Sequence, residues 1–109
     1  MARYIVTGCY TSAAMQGMIA KPSDREAAAR ALIESAGGKL DTFLLTTGET
    51  DFCMILQAAD ILRMLSALMV AAGSGAVSNL KTVQAFTSAE FTSAQRAAGA
   101  LAAQYQAPA

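Results

Sequence analysis

A chain of 109 residues is enough for one domain and one core, and its formal net charge of zero comes from eight basic and eight acidic residues scattered along it. There is no histidine, which excludes Ser-His-Asp and Cys-His catalysis, His-ligated haem and most zinc sites. With no tryptophan, and no basic residues interleaved with aromatics, nucleic acid is not an expected partner.

More than half of the residues, 54%, are apolar, and mean hydropathy is +0.37. So small a domain has much surface per unit volume, so that level predicts either a membrane or a second subunit as cover. The richest run, Ile61 to Ala72, is broken by Arg63 and falls short of the roughly 20 residues a span needs. The N-terminal run has no cleavable leader pattern. The expectation is therefore a cytoplasmic protein, away from membranes, that associates with itself. Two cysteines, Cys9 and Cys53, cannot make a zinc site in one chain and read as small buried thiols. No metal and no cofactor is expected.

In chain order, Arg3 to Tyr10 is rich in β-branched and aromatic residues and predicts a strand. Thr11 and Ser12 can cap a short helical stretch carrying Met15, Met18 and Ile19. After Pro22, Ser23 and Glu26 form a capping-box pattern opening a helix whose expected inner stripe is Ala27, Ala28, Ala31, Leu32 and Ser35. Gly37 and Gly38 end it. Lys39 to Thr47 and Phe52 to Ala58 predict a second and third strand around the polar break Gly48 to Asp51. Of the third strand only Gln57 is polar, so both of its faces are expected to be covered. Asp60 caps a helix from Ile61 to Ala72, apolar almost all round and expected to be deeply buried.

Ser78 to Phe86, with Lys81, Thr82 and Gln84, suits an edge strand. Thr87 and Glu90 repeat the capping-box pattern and open a C-terminal helix over 88–105. Phe91, Ala94, Ala98, Leu101 and Tyr105 mark a narrow stripe on it, suited to a partner or to the helix's own domain. The order predicts one α+β domain over 1–109 with its core in 3–86. The fold is ferredoxin-like βαββαβ, with a four-stranded antiparallel sheet in the order 4-1-3-2 plus the C-terminal helix. A second copy would cover the bare sheet face and make a dimeric α/β barrel, so the expected partner is the chain itself, as a homodimer or higher oligomer.

Tyr10-Thr11 with Gly17, Ser23-Asp24-Arg25, Gly37-Gly38-Lys39-Leu40, Gly48-Glu49-Thr50-Asp51 and Ala85-Phe86-Thr87, taken in this order and spacing, resemble the GYD domain family over about residues 3 to 91. The resemblance implies a dimeric α/β barrel and assigns no activity. The family takes its name from a Gly-x-Tyr-Asp turn, and Thr50 stands here in the tyrosine's place. A weaker likeness links the chain to the effector-binding domains of leucine-responsive-type regulators. Those share this fold and a Gly-x-x-Asp turn near amino-acid sites at subunit interfaces, which would make this chain a stand-alone sensor module. Cofactor-free monooxygenases and muconolactone-type isomerases share the fold too, so fold alone does not choose an activity.

The candidate ligand-binding residues are Gly48, Glu49, Thr50 and Asp51 at the break, with Tyr10, Thr46 and Arg25. For the break, the hairpin reading outweighs a ligand role: glycine supplies positive φ and Asp51 or Thr50 can bond backbone amides. Arg25 sits in a first helical turn, where the dipole disfavours a cation, so an anionic partner is expected beside it, and a surface ion pair outweighs a ligand contact. Tyr10 and Thr46 could line a cavity between sheet and helices. No catalytic residue is identified. The composition supports a small homo-oligomeric ligand-binding or assembly module. The alternative is a cofactor-independent oxidoreductase or isomerase acting on a hydrophobic ring compound.

Overall fold

A computed structural model describes residues 1–108. The elements are β1 (Ala2–Tyr10), α1 (Ser12–Ala20), α2 (Arg25–Ser35), β2 (Lys39–Leu45), β3 (Phe52–Ala58), α3 (Ile61–Gly73), β4 (Val77–Ala85) and α4 (Ser88–Leu101). They form an α+β, ferredoxin-like arrangement with one antiparallel sheet in the order β2-β3-β1-β4. Read from the β4 edge, that is 4-1-3-2. The polar strand β4 is an edge, and β2 is the other.

The inner face of the sheet carries the core. Val6, Leu40, Met54 and Leu56 alternate onto it and meet Ile33 of α2 and Met64, Ala67 and Leu68 of α3. Register fixes the layers: Tyr4 lies opposite Leu56, Val6 opposite Met54 and Gly8 opposite Phe52. A Cβ on Gly8 would come within 2.7 Å of the Phe52 ring and 2.8 Å of Leu80, so glycine here lets that ring lie across β1. Two irregularities re-aim the edges. One lies in β2 between Leu40 and Thr42, the other in β1–β4 pairing beside Asn79, whose φ is 53°.

Several local expectations are corrected. The cap of α2 is Asp24, which accepts from the Ala27 amide at 3.1 Å; Ser23 takes only a long bond from Arg25. The helix therefore turns a different stripe inward than expected: Ile33 is buried and Ala29, Leu32 and Ala36 pack beside it, while Ala27, Ala28, Ala31 and Ser35 are exposed. An alanine-rich helix leaves its phase ambiguous, and only Ile33 supplies a large anchor. At its end, Gly37 N–H donates to Glu34 O and Gly38 N–H to Ile33 O, both at 2.9 Å, with Gly37 alone left-handed.

Helix α3 buries one face only, Met64, Ala67 and Leu68. Leu62, Leu65, Met69 and Val70 face solvent in the single chain, contrary to the deep burial expected. Of the methionines, Met54 and Met64 are in the core, whereas Met15 and Met69 are exposed and Met18 is half-buried. Strand β3 likewise has one buried face. Cys53, Ile55 and Gln57 on the other are only half-buried, because no element among the described residues crosses that side. Helix α4 does carry the Thr87–Glu90 capping box, with Glu90 also 3.7 Å from Arg3. It buries none of its residues and does not fold back across the domain. The radius of gyration is 17.9 Å, against about 13 Å for a compact domain of this length.

Candidate functional site

Strand β1 ends at Tyr10, where the sheet meets the connection between β2 and β3. That connection is held to β1 rather than left free. Asp51 N–H donates to Gly8 O at 2.8 Å, and the Tyr10 N–H donates to Asp51 Oδ2 at 2.9 Å. Thr46 N–H donates to Asp51 O at 2.8 Å and the Thr46 hydroxyl to Thr50 O at 2.7 Å, while Gly48 takes a φ of 100°. The Cys9 thiol donates to Glu49 O at 3.2 Å. The break is thus a hairpin whose Asp51 carboxylate extends the β1–β3 ladder by one bond. Thr50 takes part through its carbonyl, so the turn closes without a tyrosine at that position.

Side chains from this end of the sheet converge on an apolar cavity between the sheet and helices α2 and α3. Its volume is about 110 Å³, and its lining includes Phe43, Phe52, Met54, Leu68, Val77 and Leu80. Phe52 is the hub of its aromatic wall. Its ring centroid lies 5.3 Å from that of Tyr10 and 6.4 Å from that of Phe43, the latter pair nearly parallel. Tyr10 and Arg25 are the polar members of the lining. Both also line an outer cleft of about 450 Å³, together with Ala14, Gly17, Met18, Lys21, Ser23 and Ala76. Tyr10 and Arg25, the residues common to both linings, are the gate.

Burial pushes the Tyr10 phenol above its ordinary 10.0; the neighbouring Arg25 guanidinium pulls it back, and the Asp51 charge adds to the rise. At neutral pH the phenol is a hydrogen-bond donor. Arg25 is held by a bond of 3.4 Å to the Ser23 hydroxyl. Among the described residues neither Arg25 nor Lys21 has a carboxylate partner, whereas Arg3, Arg30 and Lys39 each have one.

Of the seven expected ligand residues, the structure brings Tyr10 and Arg25 together at the gate and places Asp51 directly behind Tyr10. Gly48, Glu49, Thr50 and Thr46 line neither space. The acidic turn thus holds the backbone beside Tyr10 through Asp51. Sequence reading missed Phe43, Phe52, Lys21 and Ser23. The two phenylalanines were legible in principle, since alternation puts both on the inner face near Tyr10; the cleft depended on where α1 docks, and α1 has no buried residue to fix its phase.

Cys9 and Cys53 are both free thiols. Cys53 lies opposite Thr7, which makes Cys9 a diagonal neighbour about 7–8 Å away, beyond disulfide reach. Among the described residues there is no cluster of three or more metal-ligating side chains, and no helix long and apolar enough to cross a membrane.

The architecture is that of a small α+β domain, with a cavity between sheet and helices at the carboxyl end of β1. The family model of the GYD domain matches residues 4–95, and the chain belongs to that family. Among solved structures it is similar to one described as the crystal structure of FFRP-DM1, with a TM-score of 0.45 and 12% identity over 79% of this chain and 100% of that one. No curated protein matches it.

Proposed function

We propose that this GYD domain is a non-catalytic binding module for a small molecule, held between the sheet and the helices, and that it works as a homo-oligomer. The observation that carries the binding reading is the apolar cavity with two convergent polar groups, Tyr10 and Arg25, at its mouth. An isomerase or oxidoreductase would need a group able to take a proton, and the cavity lining contains no carboxylate. Its phenol is held in the protonated form by burial. Binding is thus the better use of these residues.

Self-association is supported by the outer face of the sheet. There Thr42, Ile55, Ile5 and Val83 fall in one row across all four strands, and Leu44 and Cys53 lie in the next. A mostly apolar row open to water favours cover by a second copy.

A thermal-shift screen with amino acids, aromatic acids and their neutral amides tests the first claim. A compound at a hundred times its Kd adds about 2.7 kcal/mol to stability, and a screen in which nothing raises Tm overturns the reading. Light scattering tests the second. At micromolar concentration the expected mass is at least twice 11.2 kDa, Ile55→Lys returns it to that of one chain, and a monomeric wild type overturns self-association.

A further inference from the structure

The geometry points to an organic anion as the ligand: an apolar body no larger than one six-membered ring in the inner cavity, and an anionic group in the outer cleft against Arg25, Lys21 and the Tyr10 hydroxyl. This rests on the binding reading above and assigns the chemical class.

Volume limits the body. An apolar cavity of about 150 Å³ takes up benzene, and this one, at 110 Å³, is smaller, so it admits a ring only in part. A branched chain of four or five carbons fits as well. The lining offers such a body methyls, methionine and two stacked phenyl faces, with no acceptor or donor beyond the gate.

Charge selects the head. The cleft is lined by two cations and no carboxylate. Neither cation pairs with an acid among the described residues, as is also true of Arg63, Lys81 and Arg96, whereas Arg3, Arg30 and Lys39 form ion pairs. Arg25 stands in the first turn of α2, where the helix dipole opposes a positive charge. Asp51, the nearest acid on β1's flank, is engaged by the Tyr10 amide. An anion entering the cleft relieves the repulsion at Arg25 and receives charge-assisted hydrogen bonds from the guanidinium and the phenol. The shared position of Tyr10 and Arg25 on both spaces then couples the two halves of one ligand.

The test uses the full chain and titration calorimetry with phenylacetate, phenylacetamide, phenyl phosphate and acetate. Phenylacetate or phenyl phosphate is expected to bind ten- to a hundredfold tighter than phenylacetamide, with acetate weaker by a similar factor for want of a body. Which of the two aromatic anions binds tighter separates a carboxylate from a phosphate head. In the Lys21→Gln/Arg25→Gln double variant the acid and the amide should bind equally. In Ala28→Phe, at an exposed position on the cavity rim, both should weaken while the Tm of the free protein is kept.

Equal binding of acid and amide by the wild type overturns the anion assignment and leaves the binding reading standing. Acetate as tight as phenylacetate overturns the apolar body. If no compound binds, both readings fall together. If the double variant keeps the wild-type preference, the site lies elsewhere and the assignment to this gate is wrong.

Discussion

The two faces of the sheet are built by the same alternation and end in different states. Along β3, Phe52, Met54, Leu56 and Ala58 are buried, while Cys53, Ile55 and Gln57 between them are half-exposed. The inner residues are covered by two helices; the outer ones, nearly as apolar in sequence, have no element of the described residues above them. Alternation tells which residues share a face. It does not tell what lies over that face.

The comparison breaks most sharply at neighbouring positions. Leu56 has no exposed surface, so Leu56→Ala should cost about 2–5 kcal/mol in urea unfolding. Ile55→Ala, one residue away, should cost less at low concentration and more as concentration rises if a second copy covers it. Equal, concentration-independent costs at both positions would show that the outer face gains nothing from association.

Gly8→Ala tests the inner face from the other side. Its new methyl meets Phe52 and Leu80 under 3 Å, and overpacking of this kind costs about 1–3 kcal/mol. Because Phe52 is the hub of the cavity wall, a crystal structure of the variant should show the ring displaced into the cavity. A variant as stable as wild type with the ring in place would argue against close packing there.

Asp51→Ala removes the acceptor of a half-buried amide and should cost about 1–2 kcal/mol. Faster hydrogen exchange is expected at Tyr10 than at Val6. Unchanged exchange would mean the carboxylate does not hold the gate.

The smallest effect is expected in α4, whose residues are exposed. Bonds to the Thr87 amide and hydroxyl hold the Glu90 carboxyl below its ordinary 4.5, desolvation opposes weakly, and Arg3 assists. A depressed carboxylate pKa stabilises above the unfolded value and loses that contribution as pH falls through the folded one. Helical circular dichroism should therefore decline as pH falls below about 4.5, less so in Glu90→Gln, while the near-ultraviolet signal of the core persists. Simultaneous loss of both signals would mean that α4 is coupled to the core.

The parts of the fold that sequence made legible are those set by local chemistry. Asp60 caps α3, Thr87 and Glu90 cap α4, Gly37 stops α2, and β3 runs from Phe52 to Ala58, because each depends on groups within a few residues. The phase of α2 was not legible, since alanine packs acceptably on any side and Ile33 decides the matter only against Leu40 and Met64. The site divides in the same way. Tyr10, Arg25 and Asp51 stood out as residue types in turn-like surroundings. That Asp51 holds the Tyr10 amide while Arg25 shares a gate with the Tyr10 ring follows from pairing β1 with a segment 41 residues away. The strands, their caps and the acidic hairpin are thus consequences of short-range hydrogen bonding and alternation, determined by the sequence alone. The cavity, its cationic cleft and the uncovered sheet face arise only where distant segments meet, and tertiary packing decided them.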